Sequence, residues 1–234
     1  LETVRLLLEN GADINAKDNH GQTALMSASL DSNRMSSFET VQLLLKNGAD
    51  INIKNIYGNT ALIYAVIYSQ WSSLKTVQLL LNKGADINIK NNRGNTALMC
   101  AARHSNEWCS LRTIQLLLKN NADINIKNNR GDTALMYAAR CSNERSSLDV
   151  VELLLSQENI EINDKLIKIL IKEQGKLKIY KILLKSCKKQ IKLLEQFSNK
   201  LELLKYDMKW CHSNWNLIKK YIPKNRCTCC FKYT

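Results

Sequence analysis

A chain of 234 residues that is 45% apolar and carries a formal net charge of +13 is long enough for one or two ordinary domains and basic enough to attract anionic partners. Every apolar run falls short of the roughly 18 residues that span a bilayer, and the amino end is not a signal sequence, so a soluble cytoplasmic protein is expected. Three His, and the lack of an HExxH, GxSxG or Walker signature, predict a chain that is not an enzyme and takes no cofactor.

The first element, LETVRLLLENG from Leu1, reads as a helix that ends at Gly11. Its pattern returns as LLLKNG at Leu43, LLNKG at Leu80 and LLLKNN at Leu116, and a fading LLL begins at Leu153. Gly11, Gly48 and Gly84 stand where a left-handed C-cap is expected, because glycine has no Cβ to clash there; the fourth copy has Asn121, which tolerates that conformation best among the others. Each helix leads into Ala-Asp-Ile-Asn and an alternating stretch closed by Asn and Gly, which predicts a turn or small hairpin projecting from the helices.

A shorter kind of helix comes next: GQTALMSAS from Gly21, GNTALIYAV from Gly58, GNTALMCAA from Gly94 and GDTALMYAA from Gly131. Thr23, Thr60, Thr96 and Thr133 supply an N-cap oxygen to the first turn. Alanines keep one face slim so that neighbouring helices approach closely, and Leu25, Leu62, Leu98 and Leu135 fill the seam. The four glycines lie 37, 36 and 37 residues apart, a period that predicts a solenoid of stacked units. Two short helices cannot hide their apolar faces alone, and stacking hides them.

These residues in register, G-x-T-A-L-x-x-A-A with L-L-L-x-x-G-A-D-I-N, resemble ankyrin repeats over residues 1–163. The resemblance implies an all-α repeat solenoid of stacked helix-turn-helix units with projecting hairpin loops, followed by a helical C-terminal segment. Residues 1–163 hold a partial first unit and four recognisable copies, 164–188 a degenerate capping repeat, and 189–234 a basic amphipathic tail. Because Leu1 falls inside a second helix, the chain is expected to be a fragment of a longer protein. Where the family commonly has T-P-L-H, this chain has T-A-L-M or T-A-L-I, so the Pro that shapes the first turn and the His that bonds between repeats are missing. The period also exceeds the usual 33 or so. The surplus lies between the helices, in LDSNRMSSFE, IYSQWSSLK, RHSNEWCSLR and RCSNERSSLD, where Met35, Trp71, Trp108 and Arg145 hold equivalent loop places. Such loops, with heavy Asn, Ile and Lys usage, resemble ankyrin proteins of giant DNA viruses of protists, which implies the host cytoplasm.

In this fold the hairpin tips and the exposed face of the first helix of each unit line one concave wall. The positions that vary between copies there are the candidate partner-binding residues: Asn19, His20 and Gln22; Ile56, Tyr57, Asn59, Ile67 and Tyr68; Asn92, Arg93, Asn95, Arg103 and His104; Asn129, Arg130, Asp132 and Arg140. The wall runs from apolar and aromatic to arginine-rich, which suits a protein partner with an apolar spot beside an acidic patch. The resemblance therefore implies a non-catalytic scaffold or adaptor.

The two ends differ in charge. Residues 1–160 carry 16 Lys and Arg against 15 Asp and Glu, and residues 161–234 carry 18 against 6, so the net is +1 and +12. Leu194, Phe197, Leu201, Leu204 and Met208 follow a helical period in the tail. This helix packs on the last repeat, docks a partner, or offers a basic surface to nucleic acid or anionic lipid; Trp210, Trp215 and Tyr221 among lysines suit a small core or a stacking platform. The place of the tail is similar to that of the ligase-recruiting motif in poxvirus ankyrin proteins, which raises a substrate adaptor of a host ubiquitin ligase by analogy alone. The eight Cys read as free thiols, with Cys100, Cys109 and Cys141 buried or half-buried. Cys211, His212, Cys227, Cys229 and Cys230 are the weak zinc candidates, since CTCC lacks the two-residue gap of a metal knuckle, and acylation of Cys229 and Cys230 is the competing reading.

Overall fold

A computed structural model of the protein describes residues 1–30, 35–67, 73–103, 108–140, 145–157, 159–163, 165, 166 and 169. The chain divides into two units, Leu1–Leu154 and Leu155–Thr234. Among the described residues every regular element is a helix: α1 (Glu2–Glu9), α2 (Ala24–Leu30), α3 (Met35–Lys46), α4 (Ala61–Ile67), α5 (Ser73–Asn82), α6 (Ala97–Arg103), α7 (Trp108–Lys119), α8 (Ala134–Arg140) and α9 (Arg145–Leu155).

In the first unit the elements alternate between a short first helix and a longer second one. The short helices stack in order, α2 on α4, α4 on α6 and α6 on α8, while α3 packs on α5 and α5 on α7. The T-A-L motif explains the first row. Met26, Ile63, Met99 and Met136 each donate their backbone N–H to the Thr three residues earlier, at 3.4 Å, so one orphan donor of each helix start is met by the cap. Behind the caps, Leu25, Leu62, Leu98 and Leu135 are 1% exposed or less. The second row is held by Val41 and Leu44, Val77 and Leu80, and Ile114 and Leu117, all buried at helical spacing. In α1, which buries no side chain, Leu7 occupies the place of Leu44 and is half exposed.

The ends of the second helices show why the glycine rule admits one exception. Ala12, Ala49, Ala85 and Ala122 each donate to the carbonyl five residues back at 3.0 to 3.1 Å, and the residue before each donates to the carbonyl three back, which is the Schellman closure. That closure needs positive φ, found at +78 to +87° for Gly11, Gly48 and Gly84 and at +62° for Asn121. Asn121 is the one described non-glycine residue in this region of backbone space.

One sequence expectation is corrected. The surplus between the helices is not all loop: α3, α7 and α9 begin at Met35, Trp108 and Arg145, because neither Pro nor Gly interrupts these stretches and the helix propagates upstream. Trp71 lies outside the described residues. Of the turn or small hairpin expected in the projecting segments, the structure has the turn, closed by side chains and without a strand among the described residues. In the second unit, Ile160, Ile162 and Leu166 are buried, and Asn163 Oδ1 accepts the Leu166 N–H at 2.9 Å. The capping repeat expected at 164–188 lies outside the described residues except for 165, 166 and 169, and the tail at 189–234 does so entirely.

Leu98→Ala should destabilise the protein by about 2 to 5 kcal/mol through a cavity between α6 and its stacked neighbours, measured by urea melts; a loss below about 1 kcal/mol would place the seam elsewhere. Glycine replacements should separate conformation from contact. Gly84→Ala meets nothing within 4 Å and should cost only the left-handed backbone, about 1 to 2 kcal/mol. Gly94→Ala, whose Cβ would sit 2.7 Å from the Asn129 backbone nitrogen, should cost a further 1 to 3 kcal/mol or so in the same melts.

Candidate interaction surface

Each projecting turn is built on one Asx side chain. Asp18 Oδ1 accepts the N–H groups of His20 and Gln22, both at 2.8 Å. Asn55 does the same for Tyr57 and Asn59, Asn91 for Arg93 and Asn95, and Asn128 for Arg130 and Asp132, at 2.9 to 3.0 Å. The glycine that closes the turn donates back to the same residue's carbonyl. Two residues in each turn, 19 and 20, 56 and 57, 92 and 93, 129 and 130, are left to project as a tip.

The tips are bonded to one another. Ile56 N–H donates to the His20 carbonyl at 3.1 Å, Asn92 to Tyr57 at 3.1 Å and Asn129 to Arg93 at 3.2 Å. This approach explains the second glycine series: a Cβ on Gly58 would lie 2.6 Å from the Asn92 backbone nitrogen, and φ there is +74°. Side chains add a second layer, with Asn91 Nδ2 donating to Asn59 Oδ1 at 3.0 Å and Asn128 Nδ2 to Asn95 Oδ1 at 2.8 Å.

Ala-Asp-Ile-Asn serves a parallel relay. Asp50, Asp86 and Asp123 each donate their backbone N–H to the Asn of the preceding block, Asn15, Asn52 and Asn88, at 2.9 to 3.0 Å. Each Asp carboxylate in turn accepts the N–H of the Asn two residues on, at 2.8 to 2.9 Å. Lys54 and Lys90 reach forward with Nζ to the carbonyls of Lys90 and Lys127, both at 3.1 Å. The Asp of this block therefore has a structural role.

Sequence reading passed over Tyr64 and Tyr137. Tyr64 Oη accepts from Gln22 Nε2 at 2.9 Å and from Asn55 Nδ2 at 2.8 Å, tying α4 to two successive turns. Tyr137 Oη accepts from Asn128 Nδ2 at 3.0 Å and donates to Asn95 Oδ1 at 3.3 Å. These bonds join successive repeats in a chain without the usual histidine. Their signal was present: tyrosine alternates with Ser27 and Cys100 at one place of an otherwise near-constant block.

The candidate residues fall into three groups. Asn19, His20, Ile56, Tyr57, Asn92, Arg93, Asn129 and Arg130 are exposed on the tips, and Arg103 and Arg140 are exposed at the ends of α6 and α8. Gln22, Asn59 and Ile67 are half-buried, the first two engaged in the bonds above. Asn95 and Asp132 are corrections: at 5% and 2% exposure they are interior, because the turn folds these positions back against the first helix. Asp132 is gripped by Arg140 through Nη1 at 2.7 Å and Nη2 at 3.0 Å, a bidentate pair that commits this arginine to the scaffold. Tyr68 and His104 lie outside the described residues, as do Cys211, His212, Cys227, Cys229 and Cys230.

No group of His, Cys, Asp or Glu among the described residues could hold a metal ion. Cys100 is buried and free, and burial pushes its thiol up to about 12 against a smaller opposing pull from Arg103, so it stays protonated and inert at neutral pH. A depression of about 280 Å³ lined by Arg5, Leu8, Glu9, Leu43, Lys46 and Asn47 lies between α1 and α3 rather than on the tips.

The family model for ankyrin repeats matches residues 1–91 and 70–166, with three copies, and the chain belongs to the ankyrin-repeat family. No curated protein matches it. Ankyrin repeats generally mediate protein–protein interaction and are typically non-catalytic, which supports a scaffold role. No helix among the described residues is long and apolar enough to cross a membrane.

Arg140→Ala removes the bidentate partner of a carboxylate that is 3% exposed and should destabilise the protein by about 1 to 3 kcal/mol in urea, whereas Arg93→Ala should change the melt by less than about 0.5 kcal/mol. Equal losses would mean that the Asp132 fork carries no stability.

Proposed function

We propose that the protein is a non-catalytic scaffold or adaptor that binds a partner protein along the row of tips and the exposed ends of the first helices. One observation carries this reading. At the tips the backbone is fixed by bonds to its own turn and to the next turn, yet the second projecting side chain changes along the array, from His20 to Tyr57 to Arg93 and Arg130, and each is exposed. A rigid frame with interchangeable side chains binds at low entropic cost, and arginine and tyrosine are the types that concentrate interface energy.

The finer assignments belong with this proposal. Loop composition favours a giant DNA virus of protists as the source and the host cytoplasm as the location. The basic tail as an anchor on nucleic acid or anionic lipid rests on the charge difference between residues 1–160 and 161–234, and the ubiquitin-ligase adaptor rests on position alone. The tips favour the protein scaffold, because their geometry is independent of the tail.

The whole chain, immobilised and exposed to cell lysate, should retain a protein partner that is captured at least about tenfold less well by the Arg93→Ala, Arg130→Ala double variant. Unaltered retention would move the binding surface off the tips. Capture that vanishes in high salt with release of nucleic acid or lipid would favour the tail.

A further inference from the structure

Resting on the tips as the binding surface, a sharper assignment comes from one residue that breaks their pattern. The first tip position holds Asn19, Ile56, Asn92 and Asn129 in turn. Asn92 donates Nδ2–H to the Ile56 carbonyl at 2.8 Å, and Asn129 donates to the Asn92 carbonyl at 2.9 Å. Ile56 has no side-chain donor to offer the Asn19 carbonyl. Its backbone still follows the common frame, with its N–H on the His20 carbonyl at 3.1 Å, so only the side-chain bond is forgone.

Ile56 and Tyr57 stand 54% and 55% exposed. Isoleucine here costs the array twice, by giving up a hydrogen bond between tips and by holding apolar surface in water. Neither side chain is buried in return. Positions that break a local rule without a structural gain are where a functional surface is expected.

The charge around this pair chooses the occupant. The four turns carry Lys17, Lys54, Lys90, Arg93, Lys127 and Arg130 against two carboxylates. Asp132 is interior and held by Arg140, which leaves the exposed Asp18, whose Oδ1 accepts two turn N–H groups, as the one outward carboxylate of these turns against six basic residues. We propose that Ile56 and Tyr57 are the apolar anchor for an extended acidic segment of a partner protein. A large apolar side chain of that segment seats on the Ile56–Tyr57 pair, and its carboxylates continue along the tips toward Arg93 and Arg130.

The test uses the full chain and a phage-displayed library of random peptides. Selected peptides should combine a large apolar residue with neighbouring Asp or Glu. One such peptide, synthesised, should bind the Ile56→Asn variant at least about tenfold more weakly. The same substitution should supply the missing donor to Asn19 and raise the melting midpoint by about 2 to 4 °C, so weaker binding could not be blamed on misfolding. Selection of basic or uncharged peptides, undiminished binding by Ile56→Asn, or a lowered midpoint would each overturn the proposal. If the Arg93→Ala, Arg130→Ala variant loses the peptide while Ile56→Asn keeps it, the tips survive as the binding surface and the anchor falls. If neither variant loses it, both readings fall.

Discussion

The described repeats depend on a hydrogen bond that crosses from one unit to the next. At three successive joints an Asn side chain of one A-D-I-N block receives the backbone N–H of the Asp in the following block, and the tips add backbone bonds of their own. Apolar stacking supplies most of the stabilisation but is tolerant of sliding, since it scales with area and has little direction. The hydrogen bonds are directional and weaken steeply off alignment, so even these exposed ones favour one register. Burial thus holds the helices together while the relay sets the register at which they meet.

That register explains residues that otherwise look redundant. Glycine is needed at 58 and 94 because the next turn arrives within contact of where a Cβ would be. The Asx side chain at 18, 55, 91 and 128 is needed because it alone satisfies two N–H groups of a turn too tight to satisfy them otherwise. Together they leave two projecting side chains per turn outside the closure of the turn itself, and it is at those positions that Ile56, Tyr57, Arg93 and Arg130 appear.

Much of the fold was legible in the residues because repetition averages out local ambiguity. A Thr before Ala-Leu and a Gly after Leu-Leu-Leu are weak signals singly, but four copies in register leave little choice of helix boundaries. Asn121 was legible for the same reason, as the one copy that departs from glycine while keeping its backbone angle. The starts of α3, α7 and α9 were not, because a Ser- and Asn-rich stretch without Pro or Gly carries no stop for a helix growing back from its apolar end. At the candidate surface, sequence variation marked the tips but could not separate a side chain facing water from one folded inward. Asn95 and Asp132 vary between copies because each makes a different internal bond, Asn95 to Asn128 and Asp132 to Arg140. Tyr64 and Tyr137 were hidden by the opposite effect, since a residue inside a helix block reads as core until its hydroxyl is seen to meet two partners.

The relay also bears on how such a protein changes over generations. The blocks at 50–52 and 86–88 each use both halves of the joint, an Asn that accepts from the unit ahead and an Asp N–H that donates to the unit behind. A copied unit inserted into the array would bring its own acceptor and its own donor, and would need no compensating substitution in its neighbours. The number of units is therefore free to drift by duplication or loss, while the order of tip side chains along the array is rewritten each time. Selection on binding can then work by shuffling whole units, a coarser and faster route than altering one residue at a time.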